Sequence, residues 1–296
     1  MLWKLIFGTV AVPVAVGVGI LSAASAVGNN APTLPRPDHI VIVIEENHSY
    51  SQIIDSPNAP YLNKLAAQGA VFTQSFGITY PSQPNYLALF AGSTQGITDN
   101  SCPHTFTTPN LGHALLEAGL TFAGYSEDLP SVGPLICSEG LYTRKHNPWV
   151  NWQDSVANGL PASANVPLTD FPTEYSMLPT VSMIVPNQVN DMHHGNNPEA
   201  IQTGDRWLRE HLEAYVQWAK QHNSLLIVTW DEDNKKENNR IATLFVGPMV
   251  QAGRYGQRIT HYNVLRTIED LYGLPHAGAS ADAAPITEIW KPIPRS

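Results

Sequence analysis

The decisive stretch is His39-Ile40-Val41-Ile42-Val43-Ile44-Glu45-Glu46-Asn47-His48. Six residues rich in β-branched side chains with no polar alternation describe a strand buried on both faces, and four polar residues follow without a break. A sheet of that kind presents its ligand-binding groups at the carboxyl ends of its strands. Glu46 and Asn47 are therefore candidate site residues. The pattern recurs along the chain. Ser224 to Trp230 is a second uninterrupted apolar run ending in Asp231-Glu232-Asp233, and Thr180 to Val185 leads into Pro186-Asn-Gln-Val-Asn190-Asp191-Met-His193-His194-Gly195. Further strands are expected at Ala70 to Thr73, Thr121 to Tyr125 and Ile241 to Val246.

Between these runs the apolar spacing changes to that of helices, at Ala59 to Gln68, Leu111 to Leu120, Pro198 to His222 and Tyr262 to Tyr272. Strands alternating with helices imply an α/β fold with a mainly parallel central sheet and helices on both faces. Residues 127 to 175, rich in Pro, Ser and Asn, show no period and read as an insertion or lid. Ser82, in Tyr80-Pro-Ser-Gln-Pro-Asn-Tyr86, falls at the expected start of another helix. On local sequence alone it reads as an N-cap.

Composition narrows the function. A chain of 296 residues has room for a large core, and 14% charged residues with 24 Pro and 21 Gly suits a compact enzyme with many structured loops. A net charge of -9 without a basic patch argues against nucleic acid as a partner, because that affinity comes largely from Lys and Arg. Lys4, the apolar run Leu5 to Leu21 and the Ala24-Ser25-Ala26 signal form a signal peptide over residues 1–26. A linker (27–38) and one domain (39–296) follow. Export makes Cys102 and Cys137, the two cysteines of the chain, a disulfide pair.

Three strand ends carrying Glu46 and Asn47, Asn190 and Asp191, and Asp231 and Glu232 gather negative oxygen donors on one sheet edge. Carboxylates tolerate such proximity chiefly around a cation.

These motifs, with Pro81-Ser82-Gln-Pro-Asn-Tyr86, Gly92-Ser93 and Thr260-His261, together resemble the phosphoesterase family of acid phosphatases and phosphatidylcholine-hydrolysing phospholipases C, within the alkaline-phosphatase superfamily. The resemblance runs from His39 to about Trp290. It implies an alkaline-phosphatase-like fold, a metal held by Glu46, Asn47, Ser82, Asp231 and Glu232, and Ser82 as nucleophile. It also implies that Asp191, His193, His194 and His261 contact the phosphoryl group, protonate the leaving group or form a second metal site. The all-oxygen metal set suits Ca²⁺, Mg²⁺ or Mn²⁺ better than zinc, and Asp231-Glu232 stands where two-zinc members of the superfamily have Asp-His. His48, His104, His113 and His146 read as surface or capping residues.

The expected activity is an exported acid phosphatase acting on small phosphomonoesters through a phosphoserine. A phospholipase C acting on phospholipid head groups and a non-catalytic binding protein are the alternatives. The leader reading has a direct check: the mature chain should begin at Val27, as measured by the intact mass of exported protein, and retained residues before Ala24 would contradict it.

Overall fold

A computed structural model describes residues 1–4, 8 and 34–292. The expected leader (1–26) and the linker up to residue 33 lie almost wholly outside the described residues. The body runs from Leu34 onward.

Eleven strands form in chain order: β1 (His39–Glu45), β2 (Ala70–Phe76), β3 (Phe122–Ser126), β4 (Ser138–Glu139), β5 (Tyr142–Thr143), β6 (Asn165–Pro167), β7 (Val181–Val185), β8 (Ser224–Trp230), β9 (Arg240–Ile241), β10 (Thr243–Val246) and β11 (Gly253–Thr260). The helices are α1 (Tyr50–Ile53), α2 (Pro60–Ala66), α3 (Ser82–Ala91), α4 (Leu111–Glu117), α5 (Glu199–Ala219) and α6 (His261–Tyr272).

The main sheet has the order β11-β2-β10-β8-β1-β7-β3-β6, with β9 pairing on β2. β1 lies at its centre, parallel to both β7 and β8. β10 runs antiparallel to its neighbours β2 and β8. The sheet is thus mostly parallel, as the alternation of elements requires.

Side chains of β1 divide by period 2. Ile40, Ile42 and Ile44 enter one core with residues of α3, α4 and α6, whereas Val41 and Val43 enter the other with residues of α1, α2 and α5. Both faces are therefore covered, and a continuous apolar run is the sequence that such a strand demands.

The expected strand at Ile241 to Val246 divides into β9 and β10. The sequence gives no sign of β11, because that strand is mostly exposed and Gly253 and Gly256 interrupt it. An edge strand with one wet face lacks the apolar run that marks buried neighbours.

The region without period, 127 to 175, holds short 3₁₀ turns and contributes β6 to the sheet. Trp149 and Trp152 from this region are fully buried. Gly124 on β3 makes room for Trp149, since a Cβ there would meet the indole at 2.0 Å. Arg144, also buried, donates to the carbonyls of Leu135 and His104 and to Asn151 Oδ1.

A Cys102–Cys137 disulfide is present, with Cα atoms 5.9 Å apart and a sequence separation of 35. The Arg144 N–H donates to Cys137 O at 2.9 Å, so the bridge braces the turn that follows. Replacing both cysteines by serine should lower stability by about 3 to 4 kcal/mol on the chain-entropy account. Urea unfolding of oxidised wild type against the double variant measures this.

Candidate active site

The ladder itself gathers the acidic groups. Past the end of β1, the Glu46 N–H donates to Asp191 O at 2.8 Å, while the Asp231 N–H donates to Glu45 O at 3.0 Å. Pairing across three strand ends therefore sets Glu46 between Asp191 and Asp231. Asn47 turns the chain away in the left-handed region (φ 57°) and donates its N–H to Asp231 Oδ1 at 3.1 Å and its amide to Glu46 Oε2 at 3.0 Å.

Ser82 is the first residue of α3, and Pro81 occupies the cap position. The Ser82 hydroxyl does not fold back to cap the helix. It donates to Glu46 Oε2 at 3.0 Å, with both residues buried. Asn85, one turn on, accepts from the N–H groups of Ile78 and Thr79 and donates to Thr79 O and to Glu232 Oε2. The Ser-Gln-Pro-Asn motif thereby joins the helix start to the β8 end.

A second group lies on the other side of Glu46. His146 Nε2 is 3.0 Å from Glu46 Oε1, and its Nδ1 is 3.2 Å from Asp191 Oδ2, ion-pair distances without hydrogen-bond alignment. The ring stacks on Tyr86, centroids 5.1 Å apart. His146 is fully buried, which corrects its reading as a surface or capping residue. Its signal in the sequence was slight, a lone His in a region with no period. His48, given the same bland reading, is also buried and bonds Glu46 O and Asn197.

The remaining histidines separate clearly. His193 faces His146, and its Nε2 accepts from Lys145 Nζ at 3.3 Å. Lysine can only donate, so this contact assigns the proton of a neutral His193 ring to Nδ1, which is buried and has no partner among the described residues. His194 is exposed, its ring against the edge of His193. His261 begins α6, and its Nε2 bonds Asp231 O at 2.7 Å. It braces the β8 end from behind, apart from the His146–His193 pair.

Burial and mutual repulsion set the charges. Desolvation, then Asp231 and Glu46, raise Glu232 to about 9. Desolvation and Glu46 raise Asp231 well above the carboxylate range. Asp191 rises to about 7, first by burial, with His146 opposing. Burial lowers the His146 imidazole and takes His193 to about 3 and His261 to about 4. A neutral His146 has one N–H to offer two carboxylates, so one of those contacts sets lone pair against lone pair.

Missing positive charge is the common factor. Glu46 Oε1, Asp191 Oδ2 and Asp231 Oδ2 are buried without hydrogen-bond partners among the described residues. Ligand atoms of Glu46, His146 and His193 lie within 4.8 Å of one another. This donor set fits a divalent cation. Two imidazoles beside the carboxylates make it more hospitable to zinc than the all-oxygen set alone.

Residues 54–275 match the model of the Phosphoesterase family, and the chain belongs to that family. It is 51% identical over 273 residues to a phosphatidylinositol-3-phosphatase of Mycobacterium tuberculosis, covering 91% of this chain and 88% of the relative. An acid phosphatase of Aspergillus fumigatus is 27% identical over 82% of this chain, which spans 57% of that longer protein. In fold it is similar to an alkaline-phosphatase-superfamily protein of Vibrio parahaemolyticus (TM-score 0.57, 14% identity, 86% and 72% of the two chains) and to a lipoteichoic acid synthase of Listeria monocytogenes (TM-score 0.55, 12% identity, 80% and 72%). The protein is a hydrolase of phosphoric esters with an alkaline-phosphatase-like fold.

These ionisations give a pH test. In an unfolded chain the carboxyls lose protons near pH 4, whereas in the folded protein Asp191 does so at about 7 and Glu232 at about 9. The metal-free native state holds more protons across that interval and loses stability as pH rises through it. His193 acts oppositely, but only below about pH 6.5, where the unfolded imidazole takes a proton that the folded one refuses. From pH 7 to 9 the carboxyls act alone. The thermal midpoint of chelator-treated protein should fall by several degrees over that range, and added divalent cation should reduce the fall. Asp231→Asn should flatten the metal-free profile and abolish the response to cation, both read by calorimetry.

Proposed function

We propose that the chain is an exported, metal-dependent phosphomonoesterase of the acid-phosphatase type, with Ser82 as nucleophile and inositol-lipid phosphomonoesters among its substrates. The observation that carries the reading is the Ser82 hydroxyl, buried at a helix start and bonded to a carboxylate that is itself short of positive charge. A serine placed for capping would turn to its own helix. The lipid part is supported by the 51% identity to a phosphatidylinositol-3-phosphatase. The disulfide supports export, since such bonds persist in oxidising compartments.

Glu46, Asn47, Ser82, Asp231 and Glu232 would hold one cation, and Asp191, His146 and His193 are placed to hold a second or to contact the phosphoryl group. When bound, such a cation supplies Lewis-acid charge on phosphoryl oxygens and favours ionised serine. Ca²⁺, Mg²⁺ and Mn²⁺ suit the first set, and zinc suits a set that includes the imidazoles.

The chain's own groups do the rest. Glu46 Oε2, 3.0 Å from Ser82 Oγ, is the atom placed to take the hydroxyl proton as the oxygen attacks phosphorus. The bond from phosphorus to the leaving oxygen breaks, leaving a phosphoserine and an alcohol. His193 Nδ1 carries an unused N–H suited to a phosphoryl or leaving-group oxygen, and His193 rather than His194 takes this role because His194 faces solvent. Backbone N–H groups at the start of α3 favour the transferred anion. Water then cleaves the phosphoserine and restores the hydroxyl.

Ser82→Ala should fold, retain cation and lose about three orders of magnitude or more in turnover of p-nitrophenyl phosphate. Acid quenching during wild-type turnover should leave phosphate on the peptide containing Ser82. Near-normal activity in the variant would refute the nucleophile assignment, and faster cleavage of p-nitrophenylphosphorylcholine than of the monoester would favour a phosphodiesterase instead.

A further inference from the structure

Beside the β8 end opens a polar cavity of about 690 Å³, lined by residues 76–80 and by Lys235, Lys236, Asn238, Asn239 and Arg258. It adjoins the strand end that carries Asp231. A Cβ on Gly77 would come within 2.8 Å of Asp231 O and 2.7 Å of the Asn239 amide. Thr79 O, in the cavity wall, accepts from Asn85, the residue that also donates to Glu232.

Three cations line this cavity in a chain of net charge -9. Among the described residues none of the three forms an ion pair with a carboxylate. The cations are held in place by a built turn. Buried Asp233 accepts from the N–H groups of Lys235, Lys236 and Glu237, and also from the Tyr80 hydroxyl. Lys235 Nζ then sits 5.4 Å from the Tyr80 ring centroid, and the Arg258 guanidinium lies over Phe76 at 3.9 Å.

We propose that this cavity seats a second anionic group, a phosphate mono- or diester, on a substrate whose scissile phosphomonoester lies at Ser82. The inference deepens the phosphomonoesterase reading and rests on it. Tyr80, in the cavity wall, is two residues from Ser82, and Gly77 of the same wall packs against Asp231 O, so the cavity adjoins the site closely enough for one ligand to reach both. An inositol ring phosphorylated twice has this chemistry, whether it is free or linked through one phosphate to a lipid. The volume lies within the range of about 300 to 1,000 Å³ usual for small-molecule sites. Charge-assisted bonds to phosphate are the contacts that Lys and Arg make best.

Binding tests this separately from turnover. Ser82→Ala protein titrated calorimetrically should bind inositol 1,3-bisphosphate at least tenfold more tightly than inositol 3-phosphate, and Lys236→Ala with Arg258→Ala should erase that difference. Arg258→Lys alone, which keeps the charge, should retain most of it. The same loss is expected with soluble dibutanoyl phosphatidylinositol 3-phosphate. Equal affinity for the two inositol phosphates, or an equal loss for both in the double variant, would overturn the proposal. So would a loss confined to lipid in vesicles, which would assign the cations to a membrane surface. Turnover of p-nitrophenyl phosphate by wild type is measured in parallel. Its absence, with bisphosphate binding and the variant effect intact, would defeat the phosphatase reading and leave this cavity assigned.

Discussion

Everything in the site depends on the crowding of carboxyl groups at the ends of three adjacent parallel strands. Glu46, Asp191, Asp231 and Glu232 are all buried. Two carboxylates about 4 Å apart repel by about 4 kcal/mol even at the effective dielectric of a protein surface, and burial adds a desolvation cost for each charge. The backbone cannot relieve this, because the ladder bonds from Glu46 to Asp191 and from Asp231 to Glu45 hold the strand ends together. Relief must come from protons or from a cation. The protein spends its few local donors, the Asn47 N–H and amide, the Ser82 hydroxyl and the Asn85 amide, on only part of the lone pairs available. The oxygens left without partners among the described residues mark a place where added positive charge would be stabilised.

Helix α3 sets the candidate nucleophile beside those carboxyl groups. All ten of its residues are buried, which is unusual for a helix between a sheet and solvent, and the covering layer is supplied by α6 and by the 3₁₀ turns of the region without period. Ser82 and Tyr86 are four residues apart and so share one face. That face carries both the nucleophile candidate and the ring on which His146 stacks. The helix ends at Gly92, in the left-handed region, where a Cβ would collide with Ala277 O at 1.8 Å. Its two ends are thus held by independent contacts, and Ser82 has little freedom to leave Glu46.

Legibility in the sequence followed burial. β1, β7 and β8 are covered on both faces, so their apolar runs could be read to within a residue or two, and the polar residues that follow could be placed at one edge. That rule names Glu46, Asn47, Asp191, Asp231 and Glu232 as candidates, and the fold brings them to one edge of the sheet. β11 was missed because an exposed edge strand needs no such run. His146 was missed for a different reason: its position depends on tertiary contacts of Arg144 with Leu135, His104 and Asn151, and on the disulfide beside them, none of which has a periodic trace.

The strand period also explains how one chain end carries two adjacent glutamates without doubling the repulsion. Glu46 points to the α3 face, whereas Glu45 enters the opposite core beside Trp230, its partner across β8. Glu45 is fully buried, neither of its oxygens has a partner, and desolvation followed by Asp191 and Glu127 raises it well above the carboxylate range. Nearby Glu127 remains well satisfied by Trp207, Asn187 and Asn190, so no cation is needed on that side. The sheet therefore separates two solutions to the same problem. On one face burial raises a single carboxyl group above its ordinary range, and on the other several carboxyl groups share an edge where an external cation would relieve their repulsion.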